Sequence, residues 1–349
     1  MKNRNWGKGD LALKPTIYDV AKKANVAIST VSKVLNGTGS ISEKTKKRIW
    51  EVIDELQFQP SIVSSVKKAM KTIGLLIPDI SNPFMAEVTR EIEDNGRKKG
   101  FNVIICSTDN DSTKEDEYIS MLKQKYVDGM IIATGLKNSR AIQQLIESDI
   151  PVVMLSRDVP NLPIHIVMVD DFLGGYEAGA YLAQLGHRKI AMIVENINIP
   201  SIKNRVKGFK EGLNAFGLSN DDLTILHSSL DLEESGQVCL NLLGDQENRP
   251  TAIFVSTELL AFGVFHAART LKIQIPNQLS IVGFDNSILA KLSEPPLTTI
   301  AQPIEEMGAK AVELLVEEIT NNKEQFKKVT QRVVMSPLLI VRDSTAPIS

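Results

Sequence analysis

The sequence of 349 residues contains only two cysteines, and none of its apolar runs approaches the roughly 18 residues that a transmembrane helix needs. Its first 13 residues, MKNRNWGKGDLAL, also lack the apolar core of a secretory signal peptide, so we expect a cytoplasmic protein with no membrane partner. Cys106 and Cys239 lie far apart in apolar surroundings. In the cytoplasm this placement favours two buried, reduced thiols over a disulfide.

Common enzyme signatures are also missing. The sequence has no GxxxxGK[ST] phosphate loop, no HExxH zinc motif and no GxSxG nucleophile motif. Its histidines are scattered at 165, 187, 227 and 266, and His187 follows Gly186 at a predicted helix end, where an imidazole can meet free carbonyl groups. We therefore predict that the protein is not an enzyme, that it holds no metal or cofactor, and that its histidines are structural.

Charge is distributed unevenly along the chain. The first 71 residues hold 14 Lys and Arg against 6 Asp and Glu, whereas the remainder holds 26 against 36. A basic front on an acidic body predicts phosphate contacts confined to the N-terminal part. The length is compatible with two or three domains.

The stretch from Thr16 to Asn36, TIYDVAKKANVAISTVSKVLN, has the pattern of two short helices joined by a tight turn. In the first helix, apolar residues recur at spacings of three and four, at Ile17, Val20, Ala21 and Ala24. Asn25 follows them and tolerates the left-handed backbone that ends a helix. The second helix begins about Ala27 and presents Ile28, Ser29, Ser32 and Lys33 on one face. This is the layout of a helix-turn-helix, whose second helix lies in the major groove of DNA.

A third helix is predicted from Glu43 to Leu56. Its first half carries four basic residues, Lys44, Lys46, Lys47 and Arg48. Such a run is either a solvated face or, beside a helix-turn-helix, a surface for phosphate contacts, and the sequence leaves both open.

From Ile73 onward, apolar strands alternate with amphipathic helices. The stretch 73–77 is a continuous apolar run, which is typical of a buried parallel strand, and further strands are predicted at 103–106, 129–133, 152–155, 167–169, 190–194, 223–227, 252–255 and 280–282. Helical patterns occupy 84–99, 172–185, 202–216, 232–243, 259–270 and 304–320. The alternation predicts parallel sheets with helices on both faces, and its restart after Val169 predicts two lobes with a cleft between them.

Three sequence segments resemble the LacI/GalR family of bacterial transcription regulators. In chain order they are TIYDVAKKANVAISTVSKVLN, ISEKTKKRIWEVIDELQFQP and TIGLLIPDISNPF. The resemblance runs from about Pro15 to Arg342. Three further segments are similar to the Bacillus degradation-regulator branch of that family: ICSTDND, GFDNSILA and PPLTTIAQP.

The resemblance implies an all-α helix-turn-helix head and an α/β, two-lobed body like that of periplasmic binding proteins, with parallel sheets. After an extension at 1–14 that we expect to be disordered, the implied parts are a DNA-binding domain at 15–60, a hinge linker at 61–72 and a body for effector binding and dimerisation at 73–342. Lobe 1 would take about 73–169 and 302–333, with the last helix, and lobe 2 about 170–300 and 335–342. Crossovers between the lobes are expected near 169–171, 299–302 and 333–336.

The pattern and the family motif together indicate the DNA-contacting residues Thr16, Tyr18, Ile28, Ser29, Thr30, Ser32, Lys33, Asn36 and Val66. Lys33 stands where the family usually has arginine, and it offers a point charge instead of a bidentate fork. The hinge, PSIVSSVKKAM, has Ser61 where asparagine is usual and is short by about two residues. Val66 is then the nearest candidate for the apolar side chain that the family inserts into the minor groove, so we expect weak DNA kinking.

Ligands of open α/β sheets bind at the carboxyl ends of strands. The candidate effector-binding residues at those ends are Asp79, Phe84, Met85, Ser156, Arg205, Thr257 and Asp285. Arg205, in NRVKGF, and Asp285, in GFDN, match family residues that reach the ligand, and we expect them in separate loops at the mouth of the cleft. Structural alternatives are a surface position for Arg205 and a turn-forming role for Asp285. The family often has Asn-Asp at Thr257-Glu258, so the resemblance does not transfer an effector identity.

An arginine fork, a carboxylate and an aromatic wall suit a ligand rich in hydroxyl groups. We therefore expect a carbohydrate effector, a sugar or sugar derivative, with a sugar phosphate or acid second because Arg205 can bind an anion. The chain is interpreted as a homodimeric, sequence-specific transcriptional repressor whose affinity for a pseudo-palindromic operator depends on that effector. The alternatives are a solute-binding receptor, a sugar-processing enzyme, and a regulator controlled by a protein co-effector.

Overall fold

The computed structural model describes residues 15–35, 39–56, 58, 71–125, 127–134, 139–159, 162–321 and 329–348. The chain divides into two compact units, Met1–Lys71 and Thr72–Ser349. The predicted extension at 1–14, Asn36, and the predicted hinge up to residue 70, including Val66, lie outside the described residues.

The N-terminal unit contains three helices around a small apolar core. They are α1 (Ile17–Ala24), α2 (Ile28–Leu35) and α3 (Glu43–Leu56). Each helix contributes a fully buried residue to the core: Val20, Val31 and Ile49. The apolar periodicity of the sequence therefore placed all three helices, because each buries one face against the other two.

Both ends of α1 are fixed by local polar groups. The Asp19 carboxylate accepts hydrogen bonds from the Thr16 hydroxyl (2.6 Å) and the Thr16 N–H (2.8 Å), and these bonds lower the pKa of Asp19. At the other end, Asn25 has a φ of 51°, the left-handed backbone predicted for it. This residue turns the chain directly into α2, as a helix-turn-helix requires.

The first lobe of the body is built on a six-stranded sheet. From edge to edge its strands are β11 (Arg332–Met335), β5 (His165–Val169), β4 (Val152–Leu155), β3 (Gly129–Ile132), β1 (Lys71–Ile77) and β2 (Phe101–Ser107). The pairs from β11 to β1 are parallel. Helices α4 (Pro83–Lys98) and α12 (Ile304–Asn321) cover one face, and α5 (Ser112–Gln124) and α6 (Ser139–Glu147) cover the other.

The second lobe repeats this architecture. Its strands, again from edge to edge, are β12 (Leu338–Ile340), β10 (Thr298–Ala301), β9 (Ser280–Asp285), β8 (Ala252–Val255), β6 (Ile190–Val194) and β7 (Leu223–His227). Only β12 is antiparallel to its neighbour. Helices α7 (Asp171–Gln184) and α8 (Pro200–Asn214) cover one face, and α9 (Leu232–Gly244) and α10 (Glu258–Thr270) cover the other, followed by the short α11 (Ile288–Leu292).

The chain passes between the lobes three times, after Val169, Ala301 and Met335. These crossovers lie within a few residues of the predicted positions. Strand β10 and helix α11 were not predicted, and β9 continues to Asp285 instead of ending at Val282.

Helices α7 and α8 approach so closely that their contact requires glycine. A Cβ on Gly208 would lie 1.9 Å from the carbonyl oxygen of Phe172, and one on Gly175 would lie 2.1 Å from that of Arg205. Both obstacles are backbone atoms, so no side-chain rotation can relieve the clash. The contact fixes α8, and with it Arg205, against α7.

The C-terminal segment extends the second lobe beyond the predicted limit at Arg342. Ser344 is fully buried, and His187 Nε2 lies 3.0 Å from Ser280 Oγ and 3.2 Å from the carbonyl oxygen of Ala346. The expectation that His187 meets carbonyl groups of its own helix end is therefore wrong, since its carbonyl partner belongs to this distant segment. Burial lowers the pKa of His187, which keeps the imidazole neutral.

The two cysteines are buried and unpaired, as predicted, and burial raises the pKa of Cys239 to about 12. Within the described ranges, no helix is long and apolar enough to cross a membrane.

Candidate functional site

A cleft between the two lobes has a cavity volume of about 110 Å³. One buried water needs only roughly 10–15 Å³, so the cavity has room for a small ligand. All seven residues predicted to bind an effector line it: Asp79, Phe84, Met85, Ser156, Arg205, Thr257 and Asp285. The structure thus brings them together from both lobes, and their part in ligand binding stays a prediction.

Arg205 is a buried residue of α8, so the expectation that it lies in a loop is wrong. Its Nε donates a hydrogen bond to Asp171 Oδ1 (2.8 Å), and its Nη1 donates to the carbonyl oxygen of Ser256 (2.6 Å). The guanidinium carbon stacks 3.4 Å from the ring centroid of Phe284. A planar group held by a carboxylate, a carbonyl and a ring presents its remaining N–H donors in a fixed direction.

Asp285 is the last residue of β9 and not part of a loop, which corrects both expectations for it. Its φ of 113° is unusual for a residue with a side chain, and such strain is common at functional sites. Oδ1 accepts a hydrogen bond from Gln302 Nε2 (2.7 Å) and lies 3.6 Å from Arg205 Nη1. Burial raises the pKa of Asp285 to about 7, with Arg205 opposing the shift and Glu258 adding to it.

Lobe 1 supplies a mixed polar and apolar wall. Asp79 follows β1, and its carboxylate accepts a hydrogen bond from the Ser81 N–H (2.8 Å). Asn82 Oδ1 accepts from the Phe84 N–H (3.0 Å) at the start of α4, which places Phe84 and Met85 on the cleft. Phe84 also packs into the core of lobe 1, so its ring is held rigidly.

Several residues that line the cleft were not predicted from the sequence. The polar ones are Asn82, Asn110, Arg157, Asp171, Glu195, Ser201 and Gln302. Arg157, Glu195 and Gln302 follow within two residues of the ends of β4, β6 and β10. The rule that found Asp79 and Thr257 could therefore have found these three as well.

Two buried side-chain oxygens in the cleft have no hydrogen-bond partner within the described part of the chain: Thr257 Oγ1 and Gln302 Oε1. Buried polar atoms are almost always paired in native proteins, so these oxygens are available to a ligand. No cluster of His, Cys, Asp or Glu among the described residues is placed to hold a metal ion.

The N-terminal unit presents a separate candidate surface. On α2, Ile28 is 41% exposed and both Ser29 and Lys33 are exposed, whereas Thr30 and Ser32 are partly buried. At the start of α1, Thr16 and Tyr18 are also exposed. Of the basic run on α3, Lys46 pairs with Glu43 (2.6 Å), and Lys44, Lys47 and Arg48 are exposed. The face of α2 opposite to the core is therefore open for contact with base edges.

Comparison with known proteins matches both parts of the chain. Residues 16–61 match the family of bacterial regulatory proteins called the lacI family, and residues 180–345 match the periplasmic binding protein-like domain. The HTH-type transcriptional regulator DegA of Bacillus subtilis (strain 168) is 43% identical over 97% of this chain and 100% of its own length. The ribose operon repressor of Halalkalibacterium halodurans is 37% identical over 95% of this chain and 97% of its own length.

Among solved structures, a LacI family transcriptional regulator from Enterococcus faecium with bound ribose has a TM-score of 0.72. It is 33% identical, and the match covers 80% of this chain and 100% of that one. Fold and matches together define the class: a helix-turn-helix head joined to a two-lobed, periplasmic-binding-protein-like body. The chain belongs to the lacI family of bacterial regulatory proteins and is a DNA-binding transcriptional regulator.

Proposed function

We propose that this regulator is a cytoplasmic repressor that binds a pseudo-palindromic operator as a homodimer. Its operator affinity would rise or fall when a carbohydrate binds in the cleft. Residues 15–60 would read the DNA, and the cleft residues from both lobes would sense the effector. The hinge would span 61–70, because Lys71 and Thr72, which the sequence prediction assigned to it, belong to β1. One observation carries the proposal: the cavity at the carboxyl ends of the strands is lined from both lobes and contains polar groups that can form hydrogen bonds with a polyol. A ligand seated there can change the angle between the lobes.

The chemistry of the cleft favours a ligand with many hydroxyl groups. Each hydroxyl both donates and accepts, and Arg205, Asp285 and Thr257 offer donors and acceptors side by side. Phe84 and Met85 supply the apolar wall that such pockets combine with a few polar groups. The Enterococcus faecium relative binds ribose, which is a ligand of this kind.

The second lobe also has a surface suited to a homodimer. A groove there is lined by Leu232, Phe262, Phe265 and Ile275, and the exposed fraction of Leu232 is 56%. Exposed apolar groups gathered in this way commonly mark protein–protein interfaces, and most homo-oligomers are two-fold dimers. A dimer would hold two heads at the spacing of operator half-sites.

Asp285→Asn tests the effector site. The amide keeps the shape of the carboxylate but not its charge, so we expect the ligand response to be lost while operator affinity without ligand stays near wild type. Operator binding is measured by fluorescence anisotropy, with and without a sugar that raises the melting temperature of the full chain. In the wild type, the response should also weaken as pH falls below about 7, because Asp285 takes up a proton there and becomes a weaker acceptor of hydroxyl hydrogens.

Asp116→Asn, an exposed change on α5, is the control and should leave both the response and its pH dependence intact. A full response in Asp285→Asn would place the effector site elsewhere and favour a protein co-effector.

Lys33→Ala tests the DNA-reading face. Lys33 is exposed on α2, and loss of a base-edge contact should weaken operator binding by about 1–3 kcal/mol, with a smaller loss on random DNA. Lys47→Ala, an exposed lysine on α3, serves as the comparison, since a phosphate contact should affect operator and random DNA equally. Equal losses for Lys33→Ala on both DNAs would assign Lys33 to the phosphate backbone as well.

A further inference from the structure

Arg157 is a charged group in the cleft that has no close partner among the described residues. It follows β4, lines the cavity from lobe 1 and is partly buried. Across the part of the chain that the structure describes, its guanidinium makes no hydrogen bond and no ion pair. Arg205, in the same cavity, is bound by a carboxylate and a carbonyl oxygen. The guanidinium of Arg205 is therefore already hydrogen bonded before a ligand binds, whereas that of Arg157 has no such bond to the described residues.

The negative charge that acts most strongly on Arg157 belongs to Glu195 of the other lobe. Glu195 follows β6 and lines the same cavity, and it too makes no hydrogen bond or ion pair with described residues. Burial lowers the pKa of Arg157 and raises the pKa of Glu195, and the opposite charge of the other residue partly offsets each shift. Both groups have thus lost water without gaining a contact, which is unfavourable for a charged group.

A ligand can supply the missing contact. An arginine has five N–H donors in a planar fork that fits a carboxylate or phosphate with two parallel hydrogen bonds. Arg205 has little need of an anion because Asp171 binds it and Asp285 lies 3.6 Å away. An anionic group in this cleft would consequently be drawn to Arg157, and hydroxyl groups would meet Arg205, Asp285 and Glu195.

We propose that the effector is a sugar bearing one acidic group, a carboxylate or a phosphate, which Arg157 binds. This inference rests on the proposed carbohydrate effector and narrows its class. Arg157 is then the residue that distinguishes an acidic sugar from its neutral parent.

The test uses matched sugars that differ only in the acidic group. The full chain is titrated calorimetrically with D-glucose, D-glucuronate and D-glucose 6-phosphate, and with the corresponding D-galactose and D-ribose series. In at least one series, either the sugar carboxylate or the sugar phosphate should bind at least ~10-fold more tightly than the neutral parent sugar. Arg157→Gln should remove that preference while changing the affinity for neutral sugars by less than about twofold.

Two further variants act as controls. Glu195→Gln removes a negative charge from the same cavity and should not lower the preference for the acidic sugar. Arg97→Gln, an exposed arginine of the same lobe, should leave every affinity unchanged. Because the described residues provide no close partner for Arg157, Arg157→Gln without ligand should melt within about 3 °C of the wild type.

The inference would be overturned if neutral sugars bind as tightly as acidic ones and the ratio of the two affinities is the same in Arg157→Gln. That result would still support a carbohydrate effector. A large fall in the ligand-free melting temperature of Arg157→Gln would also overturn the inference, since it would show a structural role. No binding by any neutral or acidic sugar would instead remove the carbohydrate effector itself, and this inference with it.

Discussion

Arg205→Leu is expected to lower the free energy of unfolding by about 3–5 kcal/mol, measured by urea denaturation without ligand. Arg205 is buried, and its Nε is hydrogen bonded to Asp171 Oδ1 at 2.8 Å. Removing the guanidinium leaves Asp171 as a buried charge without its partner, and it removes the cation that opposes the rise in the pKa of Asp285. The loss of a buried charge from one side of a pair is much more costly than removal of the whole pair.

A double-mutant cycle separates the pair from the packing around it. Asp171→Leu combined with Arg205→Leu should be less destabilised than the sum of the single variants, with a coupling of about 0.5–3 kcal/mol. Lys203→Leu, an exposed change on the same helix, should have little effect. Additive single effects would mean that Arg205 stabilises the lobe through its stacking on Phe284 and not through Asp171.

Gly208→Ala is expected to destabilise the body by on the order of 3 kcal/mol, measured as a lower melting temperature of the full chain. Its Cβ would lie 1.9 Å from the carbonyl oxygen of Phe172, so α7 and α8 must move apart. The two helices form one face of the second lobe and carry Asp171 and Arg205. We therefore expect the ligand response to fall together with stability.

Gly244→Ala is the matched control because a Cβ there would meet no atom within 4 Å. Alanine is the better helix former, so this change at the end of α9 should be neutral or stabilise by up to about 1 kcal/mol. A Gly208→Ala variant as stable as Gly244→Ala would contradict the close approach of α7 and α8.

The sequence by itself determined most of the helices and strands and their order, with β10 and α11 among the exceptions. The predicted bounds of α3, β4, β6, β7 and β8 are those of the structure. Strands β4, β6 and β8 are buried on both faces and are therefore continuous apolar runs in the sequence, whereas the edge strand β7 is only partly buried. The carboxyl-end rule, together with the family resemblance for Arg205 and Asp285, predicted seven residues that the structure brings into one cleft. Local rules sufficed here because an apolar period and a strand end are properties of neighbouring residues.

Only the tertiary structure decided how the charged groups of the cleft are paired. Arg205 binds Asp171, which is 34 positions away, and lies on a helix that two glycines hold against its neighbour. Arg157 and Glu195 come from different lobes, and the fold brings them to the lining of the same cavity. Sequence pattern cannot show which buried charge is satisfied and which is left for a ligand, because burial and contact between distant segments exist only once the sheets have packed.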